Sequence, residues 1–440
     1  MPKITAAAKR PAALRHGTPT LVVATTVGNA LEFFDFTAYS FFAIVIGKLF
    51  FPSLSPYLQL LTSVATYGIG YVARPLGGFF FGAYADKHGR KSALTATILL
   101  MATGCALIGL APTYAQAGLL APAIIVFARI LQGFSAGGEV GTSTTVLVEH
   151  AQARHRGFFG SLQFASQGLG VVFGAALSLT LTACLSQAEI EQWGWRVPFL
   201  IGVAIAPLAL VFRARLHEVP RAAVAPTGNA INEPSRHNPI AEIFSHHWRT
   251  LCAATLLIIG STVCSNIITF YVPTYAISEL HIAPSYAIAA ALTSGITIVL
   301  ASPLAGFLSD RFSRKTVVIW ARISLILVLL PLFHWMSVSP SAARLLISVG
   351  VLSILMAMST APSITVVPEM FPKAVRATGM SIVYSVGVSI FGGFSLTAAV
   401  WLTHTFNSHL AAAYYTVACT AVSTIALLFI ADRTGKALED

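Results

Sequence analysis

The sequence predicts an all-α membrane protein of about twelve transmembrane helices in two similar six-helix halves. Three observations carry this. The 440 residues are 56% hydrophobic and only 10% charged, with a mean hydropathy of +0.76, whereas a soluble domain carries about 25% charged residues. Apolar runs of about 20 residues or more recur along the whole length, and each is long enough to cross a bilayer. One charged phrase also stands twice, about 224 residues apart: Gly82-Ala-Tyr-Ala-Asp86-Lys-His-Gly89-Arg90-Lys91 and Gly306-Phe-Leu-Ser-Asp310-Arg-Phe-Ser-Arg314-Lys315. Each copy follows one apolar run and precedes another.

The elements follow in order. Spans one and two are the runs at about 20–50 and 57–84, closed by Lys87, Arg90 and Lys91. Spans three and four lie at about 92–111 and 118–148, closed by Arg154 and Arg156. Spans five and six lie at about 157–185 and 195–213. The stretch 214–248, rich in Pro, Asn and His, is the longest loop and divides a first half, 1–213, from a second, 249–440. Its end, Pro239-Ile-Ala-Glu-Ile-Phe-Ser-His-His-Trp248, has the character of a short interfacial helix. Spans seven to twelve lie at about 249–277, 285–309, 316–336, 341–367, 375–404 and 410–431. The apolar runs are continuous, which excludes the alternation of a barrel strand. Gly 33 and Pro 22 fit membrane helices that pack closely or break.

The cationic loops all fall on one side: after span two, after span four, in the long loop, at Arg311, Arg314 and Lys315, and at Lys373 and Arg376. The opposite loops carry Glu189, Glu191 and Glu279 instead. The cationic side is then cytoplasmic, with both termini. This asymmetry accounts for the net charge of +11 without a nucleic-acid partner, since the basic residues form no continuous surface. The five cysteines are odd in number and scattered, with neither a disulfide framework nor metal spacing. Lys3, Lys9, Arg10 and Arg15 precede the first run with no cleavable signal pattern. The halves echo each other again in Glu149 with Arg156 and Glu369 with Arg376, each pair seven apart. Two parallel halves place a substrate cavity between them near the midplane.

These features resemble the major facilitator superfamily. The first phrase matches its signature loop, and the second has Ser313 in place of a glycine. Arg129-Ile-Leu-Gln132-Gly133 resembles the fourth-span motif. Gly168-Leu-Gly-Val-Val-Phe-Gly174 lacks the proline of the antiporter motif, which favours symport. Four further stretches are similar to the metabolite:proton symporters: Gly28-Asn29-Ala-Leu-Glu32-Phe-Phe-Asp35-Phe36, Gln132-Gly-Phe-Ser-Ala-Gly-Gly-Glu139, Trp193-Gly-Trp-Arg196-Val-Pro-Phe199 and Pro368-Glu-Met-Phe-Pro-Lys-Ala-Val-Arg-Ala-Thr-Gly379. That family carries citrate, 2-oxoglutarate, shikimate, or proline and betaine. Ser161-Leu-Gln163-Phe-Ala-Ser166-Gln167 and Tyr271-Val-Pro273-Thr-Tyr275 are most similar to the bacterial citrate–proton symporters. The resemblance implies a monomer in the bacterial cytoplasmic membrane.

An intramembrane charge costs several kcal/mol, so each is a functional candidate. Glu32 and Asp35 share a face of span one, and Arg129 lies on span four. In related sugar porters a span-one carboxylate pairs with this arginine, and protonation of the carboxylate frees it. Asp35 is accordingly expected to carry the proton and Arg129 to be its partner. Poor hydration raises a carboxylate pKa and an adjacent guanidinium lowers it. Glu32 is expected to support Asn29 and Asp35 or to help bind a cation, and Glu139 to pair with a neighbouring span or join the coupling.

For an anionic substrate Arg129 is the leading donor, since guanidinium binds carboxylate in bidentate fashion. It cannot fully serve Asp35 and a substrate together, which couples the two. Gln132, Gln163, Gln167, Asn266, Tyr271, Tyr275, Tyr39 and Tyr384 are further candidate contacts, each with a helix–helix hydrogen bond as the alternative. Asp86, Arg90, Asp310, Arg314, Glu149, Arg156, Glu369 and Arg376 are gate candidates, with Asp86 expected to meet the end of span eleven near Arg376. Arg74 is expected near the cytoplasmic gate, and Arg322 to snorkel to the cytoplasmic surface. No cofactor or coordinated metal is expected at His246 and His247 or elsewhere; the coupling ion is a proton, with sodium as the alternative. No paired metal ligands, phosphate loop or serine–histidine arrangement suggests an enzyme. A passive channel would need no proton carboxylate. A symporter for a zwitterion such as proline or betaine would use aromatic faces rather than cationic donors.

Overall fold

The computed structural model describes residues 18–88, 90–137, 144–145, 147–149, 151–214 and 239–438. Among them every regular element is helical. Span one is Thr18–Phe41 continued by Ala43–Phe50, with a 61° bend between the two pieces. Span two is Pro56–Val72 continued by Arg74–His88, span three Arg90–Gly109, span four Leu120–Ala136, span five Arg156–Cys184 and span six Val197–Ala214. Pro239–His246 forms the short helix expected before span seven. Spans seven to twelve are Trp248–Ser278, Pro284–Phe312, Arg314–Val338, Ala342–Glu369, Arg376–Thr405 and Ala411–Leu428. Among the described residues, seven helices are long and apolar enough to cross a bilayer on their own, and the bent first pair makes an eighth. The others are shorter or interrupted.

The interruptions follow from the chain. Span two breaks at Ala73, just before Arg74 and Pro75; a proline cannot donate to the preceding turn. Span seven widens to a π-turn over Ile267–Tyr271, directly ahead of Pro273, whose missing N–H would otherwise leave the i−4 carbonyl unpaired. Span eleven does the same over Gly387–Gly392.

Spans two and four meet backbone to backbone. A Cβ on Gly133 would lie 1.6 Å from the carbonyl oxygen of Gly70, so only glycine fits. Span five packs on span one in its own half and on span eight in the other. There Gly157 and Gly306 approach closely: a Cβ on Gly306 would lie 2.4 Å from the Gly157 carbonyl oxygen. Small residues allow such contact where lipid offers no hydrophobic drive to associate.

The halves touch at both ends. At the cationic end, the Asp310 carboxylate accepts from the backbone N–H of Gly157 at 2.8 Å and of Phe158 at 2.9 Å. The open N–H groups and positive dipole end of span five suit an anion there. Arg376 donates to Glu149 across the halves at 2.8 Å. At the opposite end, the His404 ring of span eleven stacks on Tyr57 of span two, with centroids 3.7 Å apart. Ser40 donates to the Phe270 carbonyl at 3.3 Å.

Candidate functional site

Span one presents Asn29, Glu32, Asp35 and Tyr39 from a buried face. Their three- and four-residue spacing puts them on one side of the helix. Asp35 meets two groups of its own half. Arg129 donates from Nη1 to Oδ2 at 2.9 Å, and Cys105 lies 3.3 Å from Oδ1. The same Arg129 Nη1 donates to Gln132 Oε1 at 2.8 Å, and Gln132 Nε2 lies 3.3 Å from the Cys105 sulfur. The guanidinium sits over the Tyr39 ring, 3.7 Å from its centroid. Arg129 is fully buried, yet its Nε and Nη2 have no hydrogen-bond partner among the described residues. Those two nitrogens form one side of the guanidinium fork, the side that receives a carboxylate through two parallel bonds.

Beside this group Asn29 donates to the Gln163 carbonyl at 3.0 Å and to the Ser166 hydroxyl at 2.7 Å. Asn29 Oδ1 and both amide atoms of Gln163 are buried without a partner among the described residues. Gln167 donates to the Tyr384 hydroxyl at 3.3 Å, from the first half to the second. The structure thus gathers Tyr39, Asp35, Arg129 and Gln132 into one group, and joins Asn29 with Gln163 and Gln167 with Tyr384.

Span seven turns elsewhere. Asn266 donates to the Thr262 carbonyl of its own helix at 3.1 Å. Tyr271 bonds Thr403 at 2.9 Å and Tyr275 bonds Ser337 at 3.3 Å, both in the second half. None of the three has a hydrogen bond to the Arg129 group among the described residues.

The structure places three further charged residues. Glu32 pairs with Arg74. Arg74 in turn is buried among aromatic rings rather than set at a gate, 4.2 Å from the Tyr71 centroid and 4.8 Å from that of Phe36. The break in span two turns it inward. Arg322 does not snorkel. It is wholly buried and donates to the hydroxyls of Ser359, Ser423, Ser261 and Ser363 and to the Leu257 carbonyl. Four hydroxyls from three helices satisfy it in place.

The gate candidates form a connected set at the cationic end. Arg314 pairs with Asp310 at 3.3 Å and with Glu369 at 3.1 Å. Arg156 donates to the Lys436 carbonyl at 2.7 Å, so the segment after span twelve crosses to the first half. Arg376 meets Glu149; its expected meeting with Asp86 falls outside the described residues. Glu139 and the side chains of Asp86 and Arg90 lie outside the described residues. The sequence reading passed over Cys105 and the depth of Arg74. The signal for Arg74 was present: a cation inside a span is itself a candidate.

Residues 20–227 match the family model described as "Sugar (and other) transporter", and residues 262–439 match that of the "Major Facilitator Superfamily". The chain is 34% identical over 399 residues to a citrate-proton symporter of Salmonella typhi, covering 89% of this chain and 90% of that one. It is 30% identical over 424 residues to the glycine betaine/proline/ectoine/pipecolic acid transporter OusA of Dickeya dadantii, covering 95% and 84%. Among solved structures, a D-xylose-proton symporter superposes with a TM-score of 0.76 at 19% identity, over 96% of this chain and 100% of that one.

Proposed function

The chain belongs to the major facilitator superfamily, and from that premise we propose that it is a proton-coupled symporter that imports a small organic anion, citrate or a related di- or tricarboxylate. The observation that carries this is the open side of Arg129. A buried guanidinium with one nitrogen on Asp35 and a vacant Nε–Nη2 edge is suited to a carboxylate. Beside Asp35 the aromatic faces that a quaternary ammonium would seek are occupied by the protein's own cations, with Tyr39 under Arg129 and Tyr71 and Phe36 under Arg74; the tyrosines of span seven, Tyr271 and Tyr275, keep the zwitterion reading as the alternative.

The cycle then runs on Asp35. While ionised, it holds Arg129 by Coulomb attraction in a poorly hydrated site. A proton on Asp35 ends that attraction and leaves the guanidinium for the substrate. Gln163 and Asn29 add unpaired amide groups, and Gln167 with Tyr384 bridges the halves. The pairs Arg376–Glu149 and Arg314–Asp310, with the Asp310 cap on span five, hold the cationic end shut and part when that end opens. In this reading the cationic face is cytoplasmic, both termini lie there, and the transporter works as a single chain.

The experiment is uptake of labelled citrate into liposomes under an inward proton gradient and, separately, a sodium gradient. Accumulation driven by protons and blocked by unlabelled citrate supports the tricarboxylate reading. Accumulation on sodium alone replaces the coupling ion. Proline or betaine taken up in place of citrate moves the substrate to the zwitterions that some relatives carry.

A further inference from the structure

The first half buries two carboxylate–guanidinium pairs, and the cycle above uses one. Glu32 with Arg74 stands three residues from Asp35 with Arg129 on the same helix. A buried ion pair adds little or no stability over apolar side chains of the same volume, so packing alone does not account for a second one.

The two pairs differ in what encloses them. Among the described residues, Asp35 and Arg129 are bounded by Cys105, Gln132, Tyr39, Phe36 and Tyr67, all of the first half. Arg74 lies on the seam. Its piece of span two packs on the start of span eleven. Its ring partner Tyr71 borders Gly393 of span eleven so closely that a Cβ on that glycine would lie 2.6 Å from the Cβ of Tyr71. Gly68, three residues before Tyr71, meets the Gly393 carbonyl in the same way. Tyr384 of span eleven lies within electrostatic reach of both Glu32 and Arg74. The pairs are also joined: Tyr71 and Tyr67 share a hydroxyl contact of 3.0 Å, Tyr67 standing on the Arg129 side and Tyr71 on the Arg74 side.

We propose that Glu32 is a second proton-carrying carboxylate, held by Arg74 and governed by the docking of span eleven, so that each cycle moves two protons with one substrate anion. The proposal rests on the symporter reading. A proton adds to a carboxylate oxygen of Glu32, its ion pair with Arg74 opens, and the guanidinium turns to a second carboxylate of the substrate. When substrate leaves, the proton leaves Glu32 and the pair reforms. Among the described residues, the titratable and charged groups placed around the pair are Tyr67 and Tyr71 on span two, Arg129 on span four and Tyr384 on span eleven, with Asp35 three residues along span one. Phenols ordinarily titrate near 10 and arginine above 12, so within this set the proton carriers are the two carboxylates.

The test counts protons. The full chain is placed in liposomes with the membrane voltage clamped to zero, and a tenfold gradient of labelled citrate is opposed by a series of proton gradients. Two protons per substrate balance that tenfold ratio at about half a pH unit, and one proton at about one unit. Wild type is expected to reverse at half a unit. The Glu32→Gln/Arg74→Gln double variant, which stays electrically neutral, is expected to reverse at one unit, and Glu32→Asp to return to half a unit. A wild type that reverses at one unit overturns the proposal, as does a double variant that reverses where wild type does. If the double variant does not fold, the wild-type value decides. If citrate is not carried, the same count with 2-oxoglutarate or proline separates a wrong substrate from a wrong stoichiometry. Uptake of all three that never exceeds equilibrium overturns the symporter reading and the proposal together.

Discussion

Asp35 and asparagine have nearly the same volume, so Asp35→Asn isolates the charge from the packing. The variant leaves Arg129 permanently without its counter-charge, and uptake is expected to stop at equilibrium; the ratio of substrate inside to outside under a proton gradient checks it. Arg129→Lys keeps the charge and removes the fork. A hydrogen bond to a charged group contributes about 1.5–3 kcal/mol, so KM is expected to rise on the order of tenfold to a hundredfold. Asp35 and Arg129 were legible in the sequence because a charge inside an apolar run is conspicuous and the motif around it names its partner. The Glu32–Arg74 pair was not. Arg74 stands 42 positions away, and its depth depends on the break at Ala73. Arg322 was misplaced for a related reason: its distance from Lys315 is within snorkelling range on a helix, and only the fold brings Ser261, Ser359, Ser363 and Ser423 to it.

At the scale of elements, the spans were readable from apolar runs and the short helix 239–246 from its pattern. The π-turns before Pro273 and at Gly387–Gly392 were not, since a proline or glycine tells where a helix is weak and not how neighbours absorb the defect. The contact of spans two and four is the stiffest test of this packing. A Gly133→Ala methyl would overlap the Gly70 carbonyl, so the helices must part; loss of monodisperse protein in detergent is expected. The cross-half pair of Arg376 and Glu149 is milder. The Glu149 side chain is 36% exposed, and such a pair contributes about 1 kcal/mol. Glu149→Gln is therefore expected to raise the population open at the cationic end about fivefold, read as faster labelling of a cysteine placed at the buried Ser161.

For the whole molecule, the repeated phrase announced two halves, and the fold has them. What repetition did not foretell is how the second copy is used: Asp310 caps span five across the seam, and the segment after span twelve reaches Arg156. Closure at both ends also yields a prediction. Tyr57 and His404 stack at the end opposite the cations, and a Tyr57→Cys/His404→Cys variant is expected to lose transport on oxidation and recover it on reduction. Retained transport with the cross-link formed would mean that this end need not open.

Among the described residues, the carboxylates buried deep within spans both lie on span one, and the second half answers with hydroxyls, an amide and a lone arginine. The engine and the lever are thus separate parts. A hybrid that joins this first half to the second half of a relative would keep its fuel while changing its cargo, and two carriers that share a first half would stall at the same opposing gradient whatever they move.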